Sequence, residues 1–425
     1  MEDYVTIHTP IDDYHVLQHI DGECRITLEG SYRVRSRDDY VVVCIYSERT
    51  NRLINRHTPT MEQGHWNVEV CLTKGDVYRI ETGLVLAETG FDERYLGRGA
   101  MKRHVGVGEV FVVAGQSNAS GYGQGEVDDG PIYGVCMLDR RDRWGIASHP
   151  MGEVSSRHEN ASLIKPSHSP WLALGKRIYR QANTPAGFIP LALNGSFLAE
   201  WEMGKPLYKA LMNALEHAEN LVFYQGCSDT VEGFGTYKER LGTFVRHIKT
   251  VKPNVRMVLV QLSGTKQKDA SDRAWNTVRE AQHHVANETN TPLIVTYDLT
   301  DYADDIHLGV NDNLTLARRV FMAFQGHTLA TINRAERVNN QTVRMVLSNT
   351  EALRVPDGAG FKVEGTEGFL PVQRAWQDKQ YLYLAHAPGT ATSLALSVGK
   401  LLGRPVVWTT HQPLPAFKCT IQSME

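Results

Sequence analysis

The sequence predicts an α/β protein in which a parallel five-stranded core is flanked on both sides by β-rich, sandwich-like regions. Three observations predict it. Between Gly106 and position 327, short apolar runs alternate with stretches of helical period, the pattern of a parallel sheet with right-handed crossovers. Residues 1–105 and 328–425 instead carry short β-branched runs separated by Gly- and Asp-rich breaks. The first core run, Val110–Ala114, is apolar at every position, as expected of a strand buried on both faces. A chain of 425 residues accommodates this as three domains: 1–105, 106–327 and 328–425.

The elements follow in order. Cys24–Leu28, Tyr40–Tyr46, Trp66–Leu72 and Val77–Thr82 read as strands of a small sandwich. After Val110–Ala114 comes an irregular stretch, 124–168, too long for a plain connection and expected to carry short elements and part of a site wall. Trp171–Ala182 reads as a helix and Gly187–Leu193 as the second core strand. Pro206–Asn220 is a helix, with proline in its first turn and Leu207, Leu211 and Leu215 on one face. Leu221–Tyr224, Arg256–Leu262 and Pro292–Tyr297 are the remaining core strands. Between and after them, helices are marked by Tyr237, Leu241, Val245 and Ile248, by Asp272–Asn287, and by Asn313–Phe324. Val343–Leu347, Tyr381–Ala385 and Ser393–Val398 return to the strand pattern.

Composition narrows the function classes. Hydrophobic residues make up 42% and charged residues 22%, ordinary for a globular chain. A formal net charge of -3 gives no reason to expect a nucleic-acid or anionic-membrane partner, and no apolar run is long enough to span a bilayer. The N-terminus lacks a basic region followed by an apolar one, so a cytoplasmic location is expected, with secretion open if a leader has been removed. Six scattered cysteines without a C-x-x-C pair point to a reduced protein without structural zinc. The oligomeric state is not legible.

In an open parallel sheet, ligands bind beyond the carboxyl ends of the strands. Here the first strand is followed by Gly115-Gln116-Ser117-Asn118 and the second by Asn194-Gly195-Ser196. The third is followed by Gln225-Gly226-Cys227-Ser228-Asp229 and the fifth by Asp304-Asp305-Ile306-His307. A serine hydroxyl needs a base, for which His307 is the candidate. The imidazole needs a carboxylate to fix its tautomer and support its charge, and Asp304 is the candidate. An oxyanion needs fixed donors, which the Ser117 and Gly195 N–H groups and the Gln225 amide can supply. The set is complete without a cation, so neither metal nor cofactor is expected.

G-Q-S-N after a buried strand, N-G-S-x-x-x-x-W, Y-Q-G-x-S-D and a closing D-x-x-H together resemble the SGNH hydrolase superfamily, and within it the sialate O-acetylesterase and carbohydrate acetylesterase group. The likeness extends to Tyr14-His15-Val16-Leu17-Gln18 near the start and to Pro413-Leu414-Pro415-Ala416-Phe417 near the end. It implies a flavodoxin-like core and a serine esterase that removes acetyl groups from sugars through an acyl-enzyme. Ser117 would be the nucleophile, His307 the base, Asp304 its orienting acid, and Gly195 and Gln225 oxyanion-hole groups. Two positions depart from the pattern: Asn194 stands where a first glycine is usual, and Cys227 where a glutamate is.

Other assignments compete. Asp305 adjoins Asp304, and the choice rests on D-x-x-H spacing. Gln116, Asn118, Trp201 and Asp229 are candidate substrate-binding residues, with a packed Trp201 and a bracing Asp229 as the alternatives. His149, His158 and His168 read as surface histidines. A lipase of the α/β-hydrolase type would need G-x-S-x-G, but position 119 is alanine. An inactive carbohydrate-binding protein is the reading from another class, opposed by the intact Ser117, Asp304 and His307. The sugar and the ester position are not legible.

Overall fold

The structure is a computed structural model that describes residues 4–34, 36–86, 97–151, 167–327, 331–348, 352–356, 360–397, 407 and 411–423. The N-terminal strands are β1 (Val16–Gln18), β2 (Glu23–Ser31), β3 (Tyr40–Ser47), β4 (Arg52–His57), β5 (Thr60–Glu62), β6 (His65–Thr73) and β7 (Val77–Val85). They lead into β8 (Gly97–Gly115), a single strand that crosses position 105, where the sequence places a domain boundary. The first half of β8 pairs antiparallel with β7, and its second half pairs parallel with core strands. A separate sheet, β2-β6-β5, shares a core with these strands through Leu28, Trp66, Val70, Val43 and Ile80.

The core sheet adds β9 (Val135–Leu138), β10 (Trp144–Ile146), β11 (Ala186–Pro190), β12 (Asn220–Tyr224), β13 (Arg256–Val260) and β14 (Leu293–Ile294). Its order is β10-β9-β11-β8-β12-β13-β14, with β10 antiparallel and the others parallel. The five expected strands stand in neighbouring positions, but the parallel sheet holds a sixth. That strand, β9, comes from the stretch read as irregular; Val135 and Cys136 in it are too few to register as a strand by pattern alone.

Among the described residues six α-helices accompany the sheet: α1 (Ser117–Ser120), α2 (Trp171–Gln181), α3 (Pro206–Ala214), α4 (Tyr237–Val251), α5 (Asp272–Glu288) and α6 (Val310–Phe324). Alternation along β8 decides what each face meets. Val110, Val112 and Ala114 pack with Leu211 of α3, Val245 of α4 and Val278 of α5. Phe111 and Val113 pack with Leu172 and Ile178 of α2 and with Leu316 and Val320 of α6. Burying one such side chain contributes about 1.5–3 kcal/mol, so β8 is fixed from both faces. At the entry to the core sheet, half-buried Glu109 accepts hydrogen bonds from His19, Lys74, Asn220 and Arg256.

Among the element ends that differ from expectation, two have a visible cause. α3 stops at Ala214, and Asn220 opens β12, where its amide bonds the Val110 carbonyl at 3.0 Å. The fifth expected strand keeps strand geometry only at Leu293–Ile294. Beyond it the Val295 N–H donates to the Gln412 side chain at 3.0 Å, so a side chain from the C-terminal region replaces a strand partner.

The C-terminal strands are β15 (Ile332–Asn339), β16 (Thr342–Leu347), β17 (Phe361–Gly365), β18 (Gly368–Leu370), β19 (Val372–Asp378), β20 (Tyr381–His386), β21 (Ala391–Leu396) and β22 (Phe417–Ser423). They form one sheet, β18-β17-β21-β22-β15-β16-β20-β19. This region is bound to the core by buried hydrogen bonds, including Gln261 to Ala416 at 2.9 Å and Tyr297 to Leu414.

Candidate active site

The site lies at the carboxyl ends of β8, β11 and β12. β8 ends at Gly115, whose φ is +131°. A Cβ there would stand 2.1 Å from the Tyr224 carbonyl oxygen, so only glycine lets the chain turn against β12. Gln116 then adopts an extended conformation and precedes the one-turn helix α1, placing Ser117 at the first helical position. Ser117 is 9% exposed. Its N–H and that of Gly195 donate to no group among the described residues. Gly195 has φ +69°, and a Cβ on it would meet nothing within 4 Å, so this backbone borders open space.

The histidine loop reaches the serine through Asn118. The Asn118 amide donates to the Ile306 carbonyl at 3.1 Å and accepts from the Leu308 N–H at 3.0 Å. Those two residues flank His307, so the residue after the serine holds the histidine from both sides. His307 Nδ1 lies 2.7 Å from Asp304 Oδ2. The other oxygen of Asp304 accepts the Ile306 and His307 N–H groups, each at 2.8 Å. Burial pushes the Asp304 carboxyl up, but the His307 ring and these backbone donors outweigh it and hold the group below its ordinary value. Asp305 takes no part in this; its carbonyl accepts from Lys266 and Thr265. The D-x-x-H spacing therefore selects the carboxylate that touches the ring.

The expected role of Gln225 is corrected. Its amide nitrogen donates to the Ser196 carbonyl at 3.1 Å and to Asp229 Oδ2 at 2.6 Å, which uses both hydrogens. It braces two loops and has no donor left for an oxyanion. The four candidate substrate contacts are also engaged within the protein, Trp201 and Asp229 in the packed and bracing alternatives. Gln116 Oε1 accepts the Gly226 N–H at 2.8 Å, and Asn118 is committed to the histidine loop. Trp201 is fully buried, donates to Ser196 Oγ at 3.1 Å and meets Phe223 edge to face. Asp229 is buried, with Leu198 N–H and Gln225 as donors; burial raises its carboxyl despite them. All four position the site from behind. Sequence reasoning could not tell bracing from contact, because the same polar residue types serve both.

Cys227 is buried beneath the serine loop, and desolvation pushes its thiol up to about 12, which removes it as a nucleophile. Two residues near the imidazole had no role in the sequence reading. Tyr122 stacks on His307 with ring centroids 4.6 Å apart, and the Asn194 amide donates to its hydroxyl oxygen. The signal available in the sequence was an aromatic residue between Gly121 and Gly123, directly after the serine turn.

His149 and His168, expected on the surface, come together on Asp129, whose Oδ2 lies 3.0 and 3.1 Å from their Nε2 atoms. His158 lies outside the described residues. The trio has the residue types of a metal site. However, Ser169 N–H points at His149 Nδ1 (3.4 Å) and the Asn313 amide at His168 Nδ1 (3.3 Å). Both Nδ1 atoms accept, so both Nε2 atoms carry the proton and donate to Asp129. A metal-bound imidazole has the reverse arrangement. Lys176 Nζ, 2.8 Å from Asp129 Oδ1, already supplies the positive charge. These residues fit a hydrogen-bonded anchor and do not fit a metal. A cavity of about 1420 Å³ lies elsewhere, between the N-terminal strands and α3, lined by residues such as Ile11, Trp144 and Leu215.

Comparison with known proteins gives the following. A family model described as carbohydrate esterase, sialic acid-specific acetylesterase, matches residues 107–326, just over half of the chain. A protein of Arabidopsis thaliana named as a probable carbohydrate esterase is 23% identical over 248 residues, 51% of this chain and 90% of that protein. The crystal structure of a carbohydrate acetylesterase from Xanthomonas citri covers 97% of this chain and 99% of its own, with TM-score 0.66 and 17% identity. At that identity the likeness speaks for the fold, which extends through both β-rich regions.

Proposed function

The chain belongs to the carbohydrate esterase family of sialic acid-specific acetylesterases, and on that footing we propose that it hydrolyses acetyl esters of sugars with Ser117 as nucleophile, His307 as base and Asp304 as the acid that orients it. One observation carries the reading: Asn118, adjacent to Ser117, holds both neighbours of His307, while Asp304 holds the Nδ1 of the ring. The remaining nitrogen, Nε2, is then the one available to the serine hydroxyl.

The steps follow from that arrangement. Ser117 Oγ attacks the acetyl carbonyl carbon and passes its proton to His307 Nε2. The C=O electron pair moves to oxygen, and the Ser117 and Gly195 N–H groups face the resulting oxyanion. The pair returns, the C–O bond to the sugar breaks, and the sugar oxygen takes the proton from the imidazolium. Water then attacks the acetyl-serine ester with His307 again as base, releasing acetate and restoring the hydroxyl. Asp304 stays charged throughout, since its donors keep its carboxyl below the ordinary range.

The test is Ser117→Ala, assayed on p-nitrophenyl acetate and on acetylated oligosaccharides. Near-complete loss of acetate release with an unchanged melting temperature is expected. Retention of more than a few per cent of the wild-type rate would move the nucleophile elsewhere.

A further inference from the structure

We propose that Tyr122 is a positioning residue for His307, its ring stacked on the imidazole so as to hold it in plane and support the imidazolium formed during catalysis. The proposal rests on the serine esterase reading above and adds to it a residue that acts through the imidazole.

The geometry is specific. The rings are 4.6 Å apart at their centroids and inclined by 25°, which places the face of Tyr122 on the face of His307. Tyr122 is 8% exposed and held at three levels. Its hydroxyl oxygen accepts from Asn194, the residue that departs from the glycine usual at that position. On one side of it, the Gly121 N–H donates to the Ser117 carbonyl at 2.9 Å. On the other, Gly123 and His168 exchange backbone hydrogen bonds at 2.9 and 3.2 Å. His168 is in turn fixed by Asn313 and Asp129. The buried Asp129 anchor thus acts on the site through one aromatic ring.

The charged and titratable groups around the imidazole are few. Asp304 holds Nδ1 from its own loop, Tyr122 covers a face, and Asn118 fixes the flanking backbone without charge. Asp305 is next in the chain, and the ammonium of Lys266, whose N–H bonds the Asp305 carbonyl, lies over the Tyr302 ring. The Asp304 carboxylate and the face of Tyr122 are the groups that meet the imidazolium as it forms during catalysis. A cation over an aromatic face is worth about 0.5–2 kcal/mol, which is about 2- to 30-fold in rate where that charge forms in the transition state.

The experiment compares wild type with Tyr122→Leu and Tyr122→Phe on p-nitrophenyl acetate from acid to alkaline pH. The leucine variant should lose about tenfold in kcat with little change in KM, and the acid limb of its kcat/KM profile should move to lower pH. The phenylalanine variant keeps the ring, so its limb should stay where the wild type has it. Equal losses in both variants with an unmoved limb would reduce Tyr122 to a packing residue and overturn the proposal, as would wild-type behaviour of the leucine variant. If Tyr122→Leu does not fold, Tyr122→Met repeats the test. Ser117→Ala run alongside separates the two levels: activity surviving there sinks the esterase reading, whereas Tyr122 results alone bear only on the stacked ring.

Discussion

At Asp304 one imidazole meets one carboxylate at 2.7 Å, and the aspartate side chain keeps 49% of its surface exposed. At Asp129 two imidazoles and an ammonium converge on a carboxylate that keeps 4%. Both sites pair imidazole with carboxylate, and the difference lies in what the second nitrogen of each ring does. In His149 and His168 both nitrogens are engaged in hydrogen bonds. In His307, Nδ1 is held and Nε2 makes no hydrogen bond among the described residues. A fully satisfied cluster contributes stability, and one left open at a single atom is suited to proton transfer. The comparison also shows why a group of ligand-type residues needs its outer hydrogen bonds read before a metal is assigned to it.

The largest effect should come from the open pair. Asp304→Asn removes the charge that supports the imidazolium and should lower kcat about 10⁴-fold, with little change in melting temperature. If that variant instead unfolds while keeping its rate per folded molecule, the two clusters have been read in the wrong order.

The closed cluster should respond in stability. Asp129→Asn leaves the Lys176 ammonium, 12% exposed, without its counter-charge and should cost about 3 kcal/mol in urea unfolding. Its effect on kcat should be far below that of Asp304→Asn. The pH dependence has a definite sign. Burial alone would raise the Asp129 carboxyl, but the donors from His149, His168 and Lys176 hold it well below the ordinary range. The unfolded chain therefore takes up the proton first. The stabilisation is full above the unfolded value of about 4 and drains away as pH falls below it. Wild type should lose stability over that acid range faster than Asp129→Asn, and parallel curves would contradict the assignment.

Two smaller effects sharpen the contrast. Asp305→Asn should change kcat by less than about tenfold, because its carboxylate touches no imidazole nitrogen. A loss as large as that of Asp304→Asn would transfer the orienting role. Treatment with EDTA should leave both activity and melting temperature unchanged, since the Asp129 cluster is saturated by its own protons. A drop in either that a divalent ion restores would make the cluster a metal centre after all.

Much of the core was legible because it depends on local pattern. Val110–Ala114 is apolar throughout, the helices α2 to α6 repeat apolar residues at helical spacing, and glycines mark the strand exits. That Ser117, Asp304 and His307 share one end of the sheet was legible for a related reason: an open parallel sheet gathers its strand exits on one edge. β9 escaped because four residues carry too little pattern. Its place was decided by pairing with Ala186–Phe188.

The sequence by itself determined which residues are apolar on both faces of β8, where the chain must turn at Gly115, and which serine, histidine and carboxylate follow the strands. Those are properties of residue type and spacing, and they survive without knowledge of neighbours. Only the tertiary structure decided that the Gln225 amide donates to Ser196 and Asp229, that Trp201 packs, that His149 and His168 share Asp129, and that Tyr122 lies on His307. The physical reason is common to all four. A polar or aromatic side chain has several ways to satisfy itself, and the choice depends on what stands within about 3–4 Å of it, which residues far apart in the chain supply.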